Sequence, residues 1–120
     1  MENQFEKLTV WQKAHELVVS IYKITKKFPQ EEKFRLTDQL CRSASSIPAN
    51  IVEGNARKYT KEYLQFLNTA FASLQETKYH LLLAKDLEYL SPTQYNETIN
   101  LADEVGRLIS GLIRSLKSKI

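Results

Sequence analysis

The 120-residue chain is poor in the residues that punctuate or cross-link a fold: one cysteine, three glycines and three prolines. A lone Cys41 closes no intramolecular disulfide, and no Cys or His spacing around it suits a zinc site. So few glycines and prolines leave little material for the turns of an all-β fold. No apolar run approaches the roughly 18 residues of a membrane span, and the start of the chain lacks the apolar core of a signal peptide. A soluble, cytoplasmic protein with no membrane partner is the expectation. Charge is also modest, at +3 net with a pI near 9.0, which suits an acidic partner but does not make binding charge-driven.

What is present is helical periodicity in a length that holds one domain, residues 1–120. Apolar residues recur at spacings of three and four over about 9–28, 35–54, 60–87 and 92–118, which predicts four helices. The first carries Trp11, Ala14, Val18, Ile21, Thr25 and Phe28, with Thr9 as expected cap and Pro29 as stop. Leu36, Leu40, Ala44, Ile47 and Ile51 mark the second. Pro48 predicts a kink there, and Gly54 reads as its stop. Tyr63, Leu67, Ala70, Leu74, Thr77, Leu81 and Ala84 mark the third. Ser91, Pro92 and Gln94 compose a capping signal for the fourth, whose stripe runs through Ala102, Val105 and Ile109. Gly106 and Gly111 inside it predict close helix packing. Short connections then favour an all-α, antiparallel up-and-down four-helix bundle.

Enzymatic signatures that such scaffolds host are missing from the sequence. A carboxylate-bridged di-metal site needs Glu-x-x-His pairs, but Gln12 and Thr77 stand three before His15 and His80. No arginine precedes either histidine as a helical ribonuclease requires, and there is no paired Glu-x-x-Glu or glycine-rich phosphate loop. The expectation is a non-enzymatic protein without metal or cofactor.

One polar constellation remains. Arg42, Ser46, Asn50 and Glu53, spaced by four, four and three, share a face of the second helix, with small neighbours that let another helix approach. They read as a hydrogen-bonded seam reaching Glu76 on the third helix, or alternatively as the lining of a pocket.

The same stretch, Gln39 to Gly54 with its Ser46-Ile47-x-x-Asn50-Ile51-x-Glu53-Gly54 core, together with Val10-Trp11, Phe28-Pro29, Arg57, Phe66-Leu67, Ser73-Leu74 and Glu76, resembles the 23S rRNA intervening-sequence protein family. Arg35 stands where a glycine is usual, and Cys41 where a second arginine is common. The resemblance implies a four-helix bundle assembling as a ring-like homopentamer with no established enzymatic activity. It is also similar in fold to the accessory variability protein of diversity-generating retroelements, which implies nucleic-acid binding by analogy.

Antiparallel order gathers Arg57, Lys58, Lys61, Arg114, Lys117 and Lys119 at one end, beside Lys13. Lysines at a helix C-terminus complement its dipole, but Arg57, Lys58 and Lys61 lie before or within the first turn of the third helix, where positive charge opposes it. Repeated around a ring, this end predicts a cationic face for RNA or DNA. The alternative is a protein-interaction scaffold that recruits a partner enzyme.

Overall fold

Ser91 opens the last helix with a closed capping box. Its Oγ accepts from the Gln94 N–H at 3.1 Å, its own N–H donates to Gln94 Oε1 at 3.0 Å, and Pro92 occupies the first helical position. The computed structural model describes residues 2–120. These form α1 (Thr9–Thr25), α2 (Leu36–Asn55), α3 (Thr60–Asp86) and α4 (Pro92–Lys117), with short 3-10 turns at Gln4–Lys7 and Gln30–Glu32 and no strand among the described residues. Each helix packs on its neighbours in sequence and α4 closes back on α1, which makes an up-and-down bundle about 46 Å long.

Two predicted boundaries shift for local reasons. Thr9 does not cap α1: it is the first helical residue, and Leu8 holds the cap position without a side-chain bond. The preceding 3-10 turn replaces the cap, and Gln12 Nε2 donates to its Glu6 carbonyl at 2.8 Å. At the other end α1 stops at Thr25 rather than Phe28. Lys27 and Phe28 bond back three residues, to Ile24 and Thr25, because Pro29 disfavours the helical region at Phe28. Phe28 still enters the core, its ring 5.5 Å from that of Tyr89.

Gly54 is not the stop of α2. It lies inside the last turn, its φ is not positive, and a Cβ there would sit 2.7 Å from Phe66 Cβ and 2.8 Å from Tyr63 Cδ1. The missing side chain lets α2 and α3 touch. α2 is also unbroken through Pro48. By contrast α3 ends on a left-handed residue that is not glycine: Glu88 has φ 66°, the Tyr89 N–H reaches the Ala84 carbonyl and the Glu88 N–H that of Lys85, a Schellman motif.

Glu32 fastens this end. Its carboxylate accepts from the Leu36 N–H at 3.3 Å and the Tyr89 hydroxyl at 2.8 Å, tying the α1–α2 turn to the α3–α4 turn. The hydrogen bond to Glu32, then burial, then the Glu32 and Glu31 charges raise the Tyr89 phenol above its ordinary value.

Leu17, Ile21, Leu40, Ile47, Ile51, Leu67, Leu74, Leu81, Val105 and Ile109 are fully buried and define one core. Gly106 belongs to the close packing expected of it, since a Cβ would meet Leu74 Cδ2 at 3.2 Å. Gly111 does not: within 4 Å a Cβ meets only an Arg114 guanidinium nitrogen, at 3.8 Å. Gly111→Ala is therefore expected to raise stability by about 0.5–1 kcal/mol in chemical denaturation, since it removes unfolded-state freedom without a clash. A loss of stability would place an intermolecular contact at that position.

Candidate nucleic-acid interface

The bundle's connectivity brings the α2–α3 turn, the start of α1 and the end of α4 to one end of the molecule. After α2 finishes, the Arg57 N–H bonds the Gly54 carbonyl at 3.0 Å, and Lys58 and Tyr59 lead into α3. All three are exposed, as is Lys61 in the first turn. The Arg57 guanidinium lies 4.7 Å from the Phe66 ring centroid and Lys58 Nζ 5.7 Å from that of Tyr59, so aromatic faces hold both cations against the end of the bundle. Tyr59 itself is 62% exposed and gives α3 no side-chain cap, so the Thr60 and Lys61 N–H groups have no partner among the described residues, whereas the Glu62 N–H bonds the Tyr59 carbonyl at 3.1 Å.

Ion pairing separates these cations from others. Among the described residues, no carboxylate comes within 4.0 Å of Arg57, Lys58, Lys61, Arg114, Lys117 or Lys119. Lys13, expected beside them, is instead shared between Glu16 at 3.5 Å and Glu104 at 3.7 Å. It contributes little positive potential. Arg114 and Lys117 occupy the last turn of α4, where they complement its dipole.

The polar seam lies elsewhere and has different members. Between α2 and α3, Ser46 Oγ meets Ser73 Oγ at 2.9 Å, Asn50 Nδ2 donates to Ser46 O at 2.7 Å and to its Oγ at 2.9 Å, and Thr77 Oγ1 donates to Ser43 Oγ at 2.9 Å. Arg42 is not part of it: it points to solvent and pairs with Asp38 at 3.0 Å. Glu53 and Glu76 are exposed and join no side-chain bond of the seam. Ser43, Ser73 and Thr77 take their places. Every hydroxyl here is used by another protein group, so the seam is a packing device, although Asn50 also borders a surface pocket of about 190 Å³ with Gln65, Phe66 and Thr69.

Sequence comparison assigns this scaffold to a family. The profile described as 23S rRNA-intervening sequence protein matches residues 6–111, most of the chain. The chain belongs to that family. A crystal structure of a protein with unknown function from the S23 ribosomal protein family of Bacteroides thetaiotaomicron is 32% identical, superposes with a TM-score of 0.82, and covers 88% of this chain and 98% of its own. No curated protein matches the chain. Within the 23S rRNA-intervening sequence span lie Arg57, Lys58, Lys61 and the whole α2–α3 seam, whereas Arg114, Lys117 and Lys119 fall beyond it.

Away from this end, His80 of this family member is buried, Cys41 and Tyr63 are half-buried and His15 is exposed. His15 stacks on Trp11 with ring centroids 4.9 Å apart. His80 is 6% exposed and its Nδ1 finds no hydrogen-bond partner among the described residues. Burial pushes the Cys41 thiol up, with a Thr25 bond at 3.7 Å acting the other way and the Asp38 charge adding to the rise, so the thiol stays protonated and poorly nucleophilic. Asn55 Nδ2 bonds the Tyr63 hydroxyl at 3.4 Å and partly offsets the rise that burial causes there. No group of three His, Cys, Asp or Glu residues poised for a metal exists among the described residues, and no helix of theirs is long and apolar enough to cross a membrane.

Proposed function

We propose that the protein is a non-enzymatic, self-associating binding protein that contacts RNA or DNA through the end carrying Arg57, Lys58 and Lys61. One observation carries this reading: three exposed cations without a carboxylate partner among the described residues sit where α3 begins. Positive charge at that place works against the helix dipole at about 0.3–1 kcal/mol per group, so the helix gains nothing from it. Glu62 is acidic in the same turn but pairs with none of the three cations, and phosphate supplies their counter-charge, with the Thr60 and Lys61 N–H groups as further donors. Tyr59 adds an exposed ring on which a base can stack.

Self-association is supported by apolar surface in the opposite half of the bundle. Tyr79 and Leu82 on α3 are 59% and 38% exposed and stand beside half-buried Tyr95 and Ile99 on α4. That patch also favours a second reading, a scaffold that recruits a protein partner without touching nucleic acid. Co-purified nucleic acid, seen in the absorbance ratio at 260 over 280 nm, separates the two readings. Fluorescence anisotropy with labelled RNA tests the first directly: wild type binds, the glutamate-reversed end does not, and equal binding by both overturns the proposal.

A further inference from the structure

Arg114 stands at two places at once. It lies in the last turn of α4 at the basic end, and it also lines a groove of about 420 Å³ between α3 and α4. The α4 wall of this groove carries Asp103, Arg107, Ser110 and Arg114, spaced by four, three and four and hence aligned on one face. Facing them on α3 are Phe71, Gln75 and Lys78. Gly106 keeps the floor open: a Cβ there would come 3.2 Å from Leu74 Cδ2 and 4.0 Å from Phe71 Cε2.

The charges in the groove are graded along its length. Lys78 Nζ pairs with Asp103 at 2.7 Å and neutralises the far end. Arg107 and Arg114 have no carboxylate within 4.0 Å among the described residues. Positive potential therefore runs from the basic end into the groove and stops at the Lys78–Asp103 pair. Along the cationic stretch the floor is apolar and includes the half-buried Phe71 ring.

We infer that this groove takes an unpaired stretch of RNA or DNA entering from the basic end, with phosphates on Arg114 and Arg107 and a base against Phe71. The inference rests on the basic-end reading and adds a strand preference to it. A paired base offers a protein only its edges, since its faces are covered by stacked neighbours, whereas an unpaired base can lay its face on an aromatic ring. The exposed cations of the end read phosphate in either form and Tyr59 adds one stacking ring there, so the dependence of strand preference on Arg107 and Gly106 is what marks the groove. An apolar floor flanked by two free arginines rewards only the single strand. Arg107 is the residue specific to this site, since it lines the groove without belonging to the end.

The test compares fluorescein-labelled oligothymidylate of about twelve nucleotides with a labelled duplex of equal length, by anisotropy, for wild type, Arg107→Gln and Gly106→Leu. Thermal melts accompany each variant. Wild type is expected to prefer the single strand by about tenfold, and both variants to lower single-strand affinity by about tenfold while duplex affinity changes less than about threefold. If Gly106→Leu unfolds against Leu74, the exposed Arg107→Gln carries the test. Equal affinity for both forms, or single-strand binding indifferent to Arg107→Gln, overturns the groove assignment and leaves the basic end standing. No binding of either form by wild type overturns the basic-end reading and the groove with it. A labelled acidic amphipathic peptide that binds through Arg107 when oligothymidylate does not bind overturns it in favour of a protein partner.

Discussion

Replacing Arg57, Lys58 and Lys61 together with glutamate is expected to lower affinity for labelled RNA by at least about a hundredfold. A solvated ion pair at about 4 Å is worth about 1 kcal/mol in water, so losing three removes about 3 kcal/mol, already slightly more than a hundredfold. Repulsion between the new carboxylates and phosphate deepens the loss. The substitution also takes the net charge from +3 to −3, since three sites each change by two units (3 − 6 = −3). Folding is not put at risk, because all three side chains are exposed and glutamate in the first turn of α3 complements the dipole that lysine opposes. A thermal melt close to that of wild type, the lost Arg57–Phe66 cation–π contact offsetting the gain at the helix start, together with lost binding, isolates the effect to the interface. Retained binding with an intact fold would move the interface elsewhere.

The largest stability effect is expected at Gly54. A Cβ there meets Phe66 Cβ at 2.7 Å, an atom fixed by its own backbone that no rotamer change withdraws. Gly54→Ala gains about 1 kcal/mol of helix propensity but forces α2 and α3 apart, for a net loss of about 1–2 kcal/mol. Gly54→Leu pushes Tyr63 aside as well and costs about 3 kcal/mol or more, a large share of the roughly 5–15 kcal/mol that holds a domain of this size. Urea denaturation reads both. Because the same displacement moves the turn that carries Arg57 and Lys58, RNA affinity is expected to fall with stability in these variants. Gly54→Ala as stable as wild type would contradict the close contact of α2 with α3.

How far the sequence revealed these features depended on whether their causes were local. The α4 start was legible because Ser91, Pro92 and Gln94 act within one turn of each other. The fully buried residues of α2 and α3 followed from their spacing alone. A glycine at the end of an apolar stripe suits a helix stop, and only Phe66 on the facing helix reveals the other use of Gly54. The spacing of Phe28 from Thr25 suits a helix, although a turn and not a helix carries its ring into the core.

At the seam, residues four apart on a helix drift by about 40° per step, which swings Arg42 toward solvent relative to Ser46. Ser43, three before Ser46, lies on the buried side instead, and its partner Thr77 is 34 residues away. A serine on one helix gives no sign of which hydroxyl it will meet on another. The grouping of Arg57, Lys58 and Lys61 was plain in sequence, but their freedom from carboxylates, and the pairing of Lys13 with Glu104, required the packed bundle. The spacing of Arg107 with Asp103, Ser110 and Arg114 stands in the sequence, but the groove needs α3 to complete it.

The central claim is that free cations at one end of the bundle bind phosphate, and a salt titration tests it most directly. Labelled RNA is titrated with wild-type protein at stepped salt concentrations from about 50 to about 200 mM, and the logarithm of affinity is plotted against the logarithm of salt. Three phosphate contacts per subunit at the basic end contribute about −2 to the slope on single strands; Arg107 and Arg114 in the groove, or further subunits on one strand, steepen it, and reversal of Arg57, Lys58 and Lys61 flattens it by about 2. Affinity that does not change with salt, or a slope that survives the reversal, would contradict the account.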